Sequence, residues 1–229
     1  MGVEERIEQA RLLYERAVYT GDVGVLAEAD RELDKVEADL ALARGRILHA
    51  RFLEGGREDP LELALFERAT QLYRLLGDAT GEAESLFWVG CFHQVVRGDV
   101  GTAVPLLEQS YELATQAGDR ATQSEALRHL GIAEHSAGQL DAARKLLENS
   151  VRLRREIGHL AGVAANQVGL IYIAAAQSRR DDALALAKEA YVTAEACGAE
   201  RIMRQVEEAR IQIKTPTGDQ GEPQSQRAP

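Results

Sequence analysis

Residues 130–150 read LGIAEHSAGQLDAARKLLENS, and this stretch decides the fold. Apolar side chains recur at intervals of three and four residues on both sides of Gly138, which is the pattern of two amphipathic helices. Glycine is common at the left-handed position that ends a helix, so Gly138 marks the point at which one helix stops and the next begins. The stretch therefore predicts two helices joined by a short turn.

The same arrangement recurs along the chain. Glycines stand at positions 77, 118, 158 and 198, at steps of 41, 40 and 40 residues. Other residue types recur at the same step. The residues twelve and eight positions before these glycines are Leu65, Leu106, Leu146 and Leu186, and Ala69, Ser110, Ser150 and Ala190. Leucines and small residues in this spacing share one helix face and allow close packing. The repeating unit is thus a pair of helices.

A second set of glycines falls inside the predicted helices. The first helix of each pair carries one in its middle, at Gly45, Gly90, Gly131 and Gly169. Glycine within a helix costs about 1 kcal/mol relative to alanine. Four glycines in equivalent places therefore predict close helix crossings.

With its Leu-Gly, Gly, Ala and small residues at these offsets, the stretch 130–150 resembles the tetratricopeptide repeat (TPR). The unit of about 40 residues is longer than the usual ~34, and Thr115, Arg155 and Glu195 replace the proline that normally closes the second helix. Longer units of this kind resemble the helical sensor and scaffold regions of some bacterial regulators and the kinesin light chain repeats. The resemblance implies an all-α fold, a right-handed α-α superhelical solenoid of TPR-like helix pairs.

We predict a single solenoid over residues 1–214 and a disordered polar tail over 215–229. The helix pairs are expected at 3–20 with 23–36, 38–54 with 60–76, 81–97 with 102–117, 120–137 with 141–157, and 160–177 with 181–197, followed by an end helix near 200–213. Asp59, Pro60 and Glu62 are interpreted as the cap, first residue and capping-box acid of one helix. A four-helix bundle is the alternative, but helix ends that recur at a constant step along the chain favour a solenoid. The glycine turns exclude a coiled coil, because they interrupt any heptad after about two and a half repeats.

The charge balance limits the classes of partner. The 229 residues include 27 basic and 37 acidic side chains, for a formal charge of −10. Nucleic acids and anionic membranes need clustered Lys and Arg, so neither is expected as a partner. No stretch approaches the ~18 consecutive apolar residues of a membrane span, and two cysteines fit a reducing compartment. We expect a cytoplasmic protein.

Motifs that carry chemistry are missing from the sequence. There is no phosphate loop, no nucleophile elbow, no His-Glu-x-x-His and no paired cysteine motif. His129 and His135 are six residues apart, whereas two metal ligands on one helical face need a spacing of three or four. The sequence therefore predicts no catalytic residue, no metal site and no cofactor.

In the family that the repeat resembles, the first helix of each pair lines a concave groove. With Gly90, Gly131 and Gly169 as anchors, the resemblance implies the following groove-facing residues: Glu84, Phe87, Cys91, Gln94, Glu125, Arg128, Ile132, His135, Val163, Asn166, Leu170 and Ile173, with Leu42, Arg46 and His49 extending the row. Trp88 and Phe92 are expected to pack between repeats. Apolar anchors that alternate with polar groups are typical of a binding groove.

Three hypotheses follow from these observations. The first is a non-catalytic interaction or scaffold module that binds a peptide or helix of another protein in the groove. The alternative is a small-molecule-sensing regulator, or an enzyme with a pocket enclosed by the solenoid and His135, Glu125 or His49 as acid–base candidates. Self-association through an uncovered end of the helix stack is the third.

Overall fold

The computed structural model describes residues 2–214 of the chain. This part contains ten α-helices, a short 3-10 turn and no strand, so the predicted all-α fold of TPR-like helix pairs is confirmed. The predicted tail over residues 215–229 lies outside the described residues. The helices are α1 (Val3–Thr20), α2 (Leu26–Gly55), α3 (Pro60–Leu76), α4 (Ala79–Val95), α5 (Val100–Ala117), α6 (Arg120–Ser136), α7 (Leu140–Glu156), α8 (Leu160–Ala176), α9 (Arg180–Ala196) and α10 (Glu200–Lys214).

Glycines end helices as predicted, and aspartates that directly follow some of them cap the next helix. The four glycines of the 40-residue step have φ values between +68° and +72°, a left-handed conformation that favours glycine. The Asp78 carboxylate accepts a hydrogen bond from the Gly81 amide at 2.9 Å, and the Asp99 carboxylate accepts one from the Thr102 amide at 3.0 Å. Each cap satisfies an amide that the helix itself leaves unpaired.

The predicted helix boundary near residue 37 is wrong. No glycine or proline stands between Leu26 and Arg44, and α2 runs unbroken for 30 residues. Its first half packs on α1 through Ala29, and its second half packs on α3 through Leu42. The helix is long enough for four heptads, so the predicted interruption of every heptad by a glycine turn does not hold for α2.

The chain divides into two compact units, one ending at Ile157 and the other beginning at Gly158. In the first unit α2 pairs with α3, α4 with α5 and α6 with α7, and α4 also contacts both α2 and α6. Its largest buried side chains include Phe66 and Phe92. In the second unit α8 packs with α9 and α10 around an alanine-rich core.

Three of the four mid-helix glycines mark helix crossings, as predicted. A Cβ added at Gly45 would collide with the buried ring of Phe66 on α3. At Gly90 it would lie 2.9 Å from Cγ of Leu107, and at Gly131 it would lie 3.1 Å from Cγ of Leu147. In these three pairs the first helix therefore carries glycine where a side chain of the second helix packs directly against its backbone.

Candidate functional site

The first helices of the three pairs in the first unit, α2, α4 and α6, share a surface that we call the inner-helix surface. It presents Arg46 from α2, Glu84 from α4, and Glu125, Arg128 and Ile132 from α6, all partly exposed, while His135 at the end of α6 is exposed. The sequence-based register predicted these six positions as groove-facing. The structure places them on successive first helices.

One ion pair lies within this surface, and a second joins it to α7. The Arg46 guanidinium pairs with the Glu84 carboxylate of the next repeat, and the two side chains are 40% and 35% exposed. The same guanidinium lies over the Trp88 ring, 5.7 Å from its centroid. On the neighbouring repeat, Nη2 of Arg154 lies 2.5 Å from Oε2 of Glu125. The surface thus carries charges of both signs, and Arg46 and Glu125 are held by contacts with Trp88 and Arg154.

Directly beneath these charges lie predicted groove residues that are buried. Phe87, Cys91 and Gln94 are 3%, 2% and 9% exposed, so they form the floor of the inner-helix surface. Leu42 and His49 of α2 are buried as well. A partner that binds this surface would therefore contact the charged side chains rather than the buried ones.

Cys91 lies between two histidines in this floor. Its Sγ is 3.8 Å from Nε2 of His49 and 3.9 Å from Nε2 of His129. Burial raises the pKa of the Cys91 thiol well above its usual range. A cysteine nucleophile or metal ligand acts as the thiolate, so this neutral thiol is suited to packing.

His129 and Gln94 are joined by two hydrogen bonds. Nδ1 of His129 lies 2.5 Å from Oε1 of Gln94, and Nε2 of Gln94 donates to the carbonyl oxygen of His129 at 2.9 Å. Burial, reinforced by the nearby Arg128 and Arg154, lowers the pKa of His129 to about 3. The imidazole is therefore neutral, and its Nδ1–H donates to the Gln94 oxygen.

The polar chain extends into α3 through His49 and Glu62. Nδ1 of His49 lies 2.8 Å from Oε1 of Glu62, which is fully buried. Burial raises the Glu62 pKa, and its Oε2 has no hydrogen-bond partner within residues 2–214. The interpretation of Glu62 as a capping-box acid is therefore wrong, because the carboxyl turns into the interior and binds His49.

With the Arg154–Glu125 pair included, the buried polar side chains come from five helices, α2, α3, α4, α6 and α7, and sequence reasoning missed several of them. Glu62 and Arg154 lie on second helices, which the groove register leaves out. His129 could have been found, because it stands 41 residues after Trp88 and so occupies the equivalent position of the next repeat. Trp88 itself stacks on Phe66 with centroids 5.4 Å apart, and Phe92 is fully buried, so both pack as predicted.

The predicted groove residues of the second unit are interior. Asn166 and Leu170 on α8 are 0% and 7% exposed, and Val163 and Ile173 are also buried. They present little side-chain surface to a partner.

A separate cleft lies on the outer side of the first unit. It has a volume of about 600 Å³ and opens between α3 and α5 above α4, lined by residues that include Arg74, Leu86 and Gln109. None of the predicted groove residues lines this cleft.

Within residues 2–214, no group of three or more His, Cys, Asp and Glu side chains is arranged to hold a metal ion. None of the described helices combines the length and apolarity that crossing a membrane requires.

Comparison with known proteins identifies the repeat. Residues 91–156 match the tetratricopeptide repeat family model. The fold is similar to a crystal structure of the nearly identical TPR-like repeats of a Podosopora anserina protein described as a kinesin light chain, with 16% identity and a TM-score of 0.53 over 78% of this chain and 86% of that one. A second structure of these repeats gives 17% identity and a TM-score of 0.51 over 79% and 96%. A search of curated proteins gives no match. The resemblance predicted from residues 130–150 is confirmed at the level of the helical repeat.

Proposed function

We propose that the chain is a non-catalytic interaction module that binds a peptide segment or helix of another protein on the inner-helix surface. Repeats of this type generally mediate protein–protein interaction or scaffolding. The observation that carries the proposal is the row of partly exposed charges, Arg46, Glu84, Glu125 and Arg128, on three successive helices over a rigid buried layer.

The energetics of Arg46 favour exchange with a partner. An ion pair between partly exposed side chains contributes only about 0–1 kcal/mol, so a partner carboxylate can replace Glu84 at small cost. Stacking on Trp88 holds the guanidinium in place. We therefore expect the partner segment to carry an acidic side chain.

Ile132 supplies the apolar part of the contact. It lies on α6, partly exposed, one helical turn after Arg128. Interfaces combine a small apolar centre with a polar rim, and this pair of residues offers both within one turn. We therefore expect the partner segment to place an apolar side chain on Ile132.

The proposal is tested by affinity capture from a lysate of the source cells with mass spectrometry. Arg46→Glu should abolish capture of the specific partner. The matched control is Arg152→Glu, which also reverses an exposed, ion-paired arginine, 2.8 Å from Glu156 on α7. Capture that survives Arg46→Glu, or that both variants abolish equally, would contradict the proposal.

A cytoplasmic location is part of the proposal. Cys91 and Cys197 are both free thiols, which suits a reducing compartment. Fractionation of cells that express the tagged chain tests this location, and recovery in an oxidising compartment would refute it.

A further inference from the structure

An exposed apolar stripe runs along the whole of α2. Leu26, Leu33, Leu40 and Ile47 follow one another at intervals of seven residues and are 39%, 46%, 49% and 54% exposed. Three positions after each of them stands a smaller residue: Ala29, which is buried against α1, and then Val36, Ala43 and Ala50. This spacing is the a and d pattern of a helix that packs against another helix. Because α2 is unbroken, the pattern persists for four heptads.

The neighbouring helix α1 carries a matching stripe. Val3, Ile7, Tyr14 and Val18 are between 49% and 57% exposed. The two helices form an antiparallel hairpin: residues 21–25 join them, Ala10 and Leu13 pack with Ala29, and Arg6 pairs with Glu32 at 2.5 Å. On each helix, the stripe is rotated about the helix axis away from the face that contacts the other helix. The angle is similar on α1 and α2, and the rotation has the same sense when each helix is viewed from its own N-terminus. In antiparallel helices this brings both stripes to the same side of the hairpin.

Charged residues beside the α2 stripe indicate what covers it. The acidic Asp30 and Glu37 flank its first half, and the basic Arg44 and Arg51 flank its second half, all four exposed. If two copies of α2 ran parallel, each half would meet its like charge. If they run antiparallel, the acidic half of one copy lies beside the basic half of the other, and Leu26, Leu33 and Leu40 lie opposite the smaller Ala50, Ala43 and Val36.

We propose that the α1–α2 hairpin binds the same hairpin of a second copy of this chain, with the two α2 helices antiparallel. Within residues 2–214, Asp30, Arg44 and Arg51 have no ion-pair partner, so their charges are available to the second copy. Glu37 already accepts hydrogen bonds from Arg68, at 2.6 and 3.0 Å, and both side chains are more than 40% exposed. An arginine of the second copy can join this pair from the solvent side. The proposal does not rest on the inner-helix surface.

The first test is the mass of the protein in solution, measured by size-exclusion chromatography with light scattering. The unmodified chain should be a dimer at micromolar concentration. Leu33→Glu with Leu40→Glu should shift it to a monomer, whereas the control pair Leu61→Glu with Leu75→Glu, on α3 and 62% and 72% exposed, should leave the dimer intact. A monomeric unmodified chain, or a dimer that survives both pairs of changes, would overturn the proposal.

Charge reversal tests the orientation without placing a charge in the apolar stripe. Arg44→Glu with Arg51→Glu makes the flank wholly acidic, and Asp30→Lys with Glu37→Lys makes it wholly basic. Each variant alone should be weakened or monomeric, and an equimolar mixture should restore the dimer. If both variants dimerise like the unmodified chain, or if the mixture stays monomeric, the charge argument fails and the proposal with it.

Distance measurement by spin labelling settles the orientation. A label on Ala27→Cys, an exposed position beside the stripe, in a Cys197→Ser background lies near one end of α2. An antiparallel dimer places the two labels about 35 Å apart along the helix axis, from the 1.5 Å rise per residue. A parallel dimer would bring them to within the ~10 Å between packed helices, and that result would refute the proposed arrangement.

Discussion

Nδ1 of His129 lies 2.5 Å from Oε1 of Gln94, and the Gln94 amide donates in return to the His129 carbonyl oxygen at 2.9 Å. This reciprocal pair joins α6 to α4, the first helices of successive repeats, in a place where both side chains are buried. It fixes the relative position of two helices that together carry most of the inner-helix surface. The geometry of the charged layer therefore depends on a polar contact beneath it.

Removing Gln94 should destabilise the first unit. Gln94→Ala leaves the imidazole N–H of His129 buried without a partner, which costs about 1–3 kcal/mol, and removes the second hydrogen bond to the His129 carbonyl, which contributes about 0.5–1.5 kcal/mol. We expect the free energy of unfolding to fall by roughly 2–4 kcal/mol in urea denaturation. Gln71→Ala, an exposed position on α3, is the control and should have little effect. Equal and small losses for the two variants would show that the reciprocal pair contributes nothing.

His129 should make stability depend on pH. Its folded pKa is lowered to about 3 by burial, while the unfolded imidazole titrates near about 6.5. Between these values the unfolded chain binds a proton that the folded chain does not, so stability falls as pH falls from about 6.5 toward 3, by up to about 1.4 kcal/mol per pH unit. Thermal melts of His129→Asn should lose this slope, and His135→Asn should keep it. A slope that is the same in all three proteins would contradict the assignment.

The contribution of Glu62 to stability should change with pH in the opposite direction. Burial raises its pKa above the ordinary glutamate range, so the protonated form favours folding and that contribution is lost as pH rises through the folded pKa. Glu62→Gln is nearly isosteric and stays neutral. Its free energy of unfolding relative to the unmodified chain should therefore increase with rising pH, and denaturation at several pH values measures it. A constant difference would mean that the Glu62 carboxyl does not titrate in this range.

The helix crossings should be sensitive to a single methyl group. Gly45→Ala places a Cβ against the fully buried Phe66 ring, and overpacking of this kind costs about 1–3 kcal/mol. Gly131→Ala meets Leu147 Cγ at 3.1 Å and should cost less. Gly55→Ala meets nothing within 4 Å and should be neutral or stabilising, because alanine favours the helix. Equilibrium denaturation of the three variants should follow this order, and a reversed order would refute the crossing model.

Local signals predicted much of the fold. Gly118 and Asp119 encode a helix end and the next helix start in adjacent residues, and both adopt the expected conformation, with a φ of +72° at the glycine. The same logic failed within α2, where the 40-residue period suggested a turn but no residue between Leu26 and Arg44 could make one. The 40-residue period alone therefore could not locate a helix boundary near residue 37. The predicted boundary also divided the seven-residue spacing of Leu26, Leu33 and Leu40 between two helices.

The floor of the inner-helix surface was harder to predict. The register placed Cys91 and Gln94 among the groove-facing positions, but both are buried. Their partners His49 and His129 come from other helices, and the sequence gives no distance between them. Burial is also a tertiary property, and Phe87 has the same helical spacing whether it lines an open groove or the layer beneath a row of charges. The sequence could therefore indicate the repeats and helices that carry the site, but not how deeply each side chain is buried.

The central claim is that a partner protein binds the inner-helix surface, and site-specific photo-crosslinking in the source cells tests it most directly. A photoreactive amino acid at Ile132 would lie on this surface, and one at Glu108, an exposed residue of α5, would serve as the outer control. We predict that position 132 forms a covalent adduct with one partner protein and position 108 does not. An adduct with the same protein from position 108 alone, or none from position 132, would contradict the account.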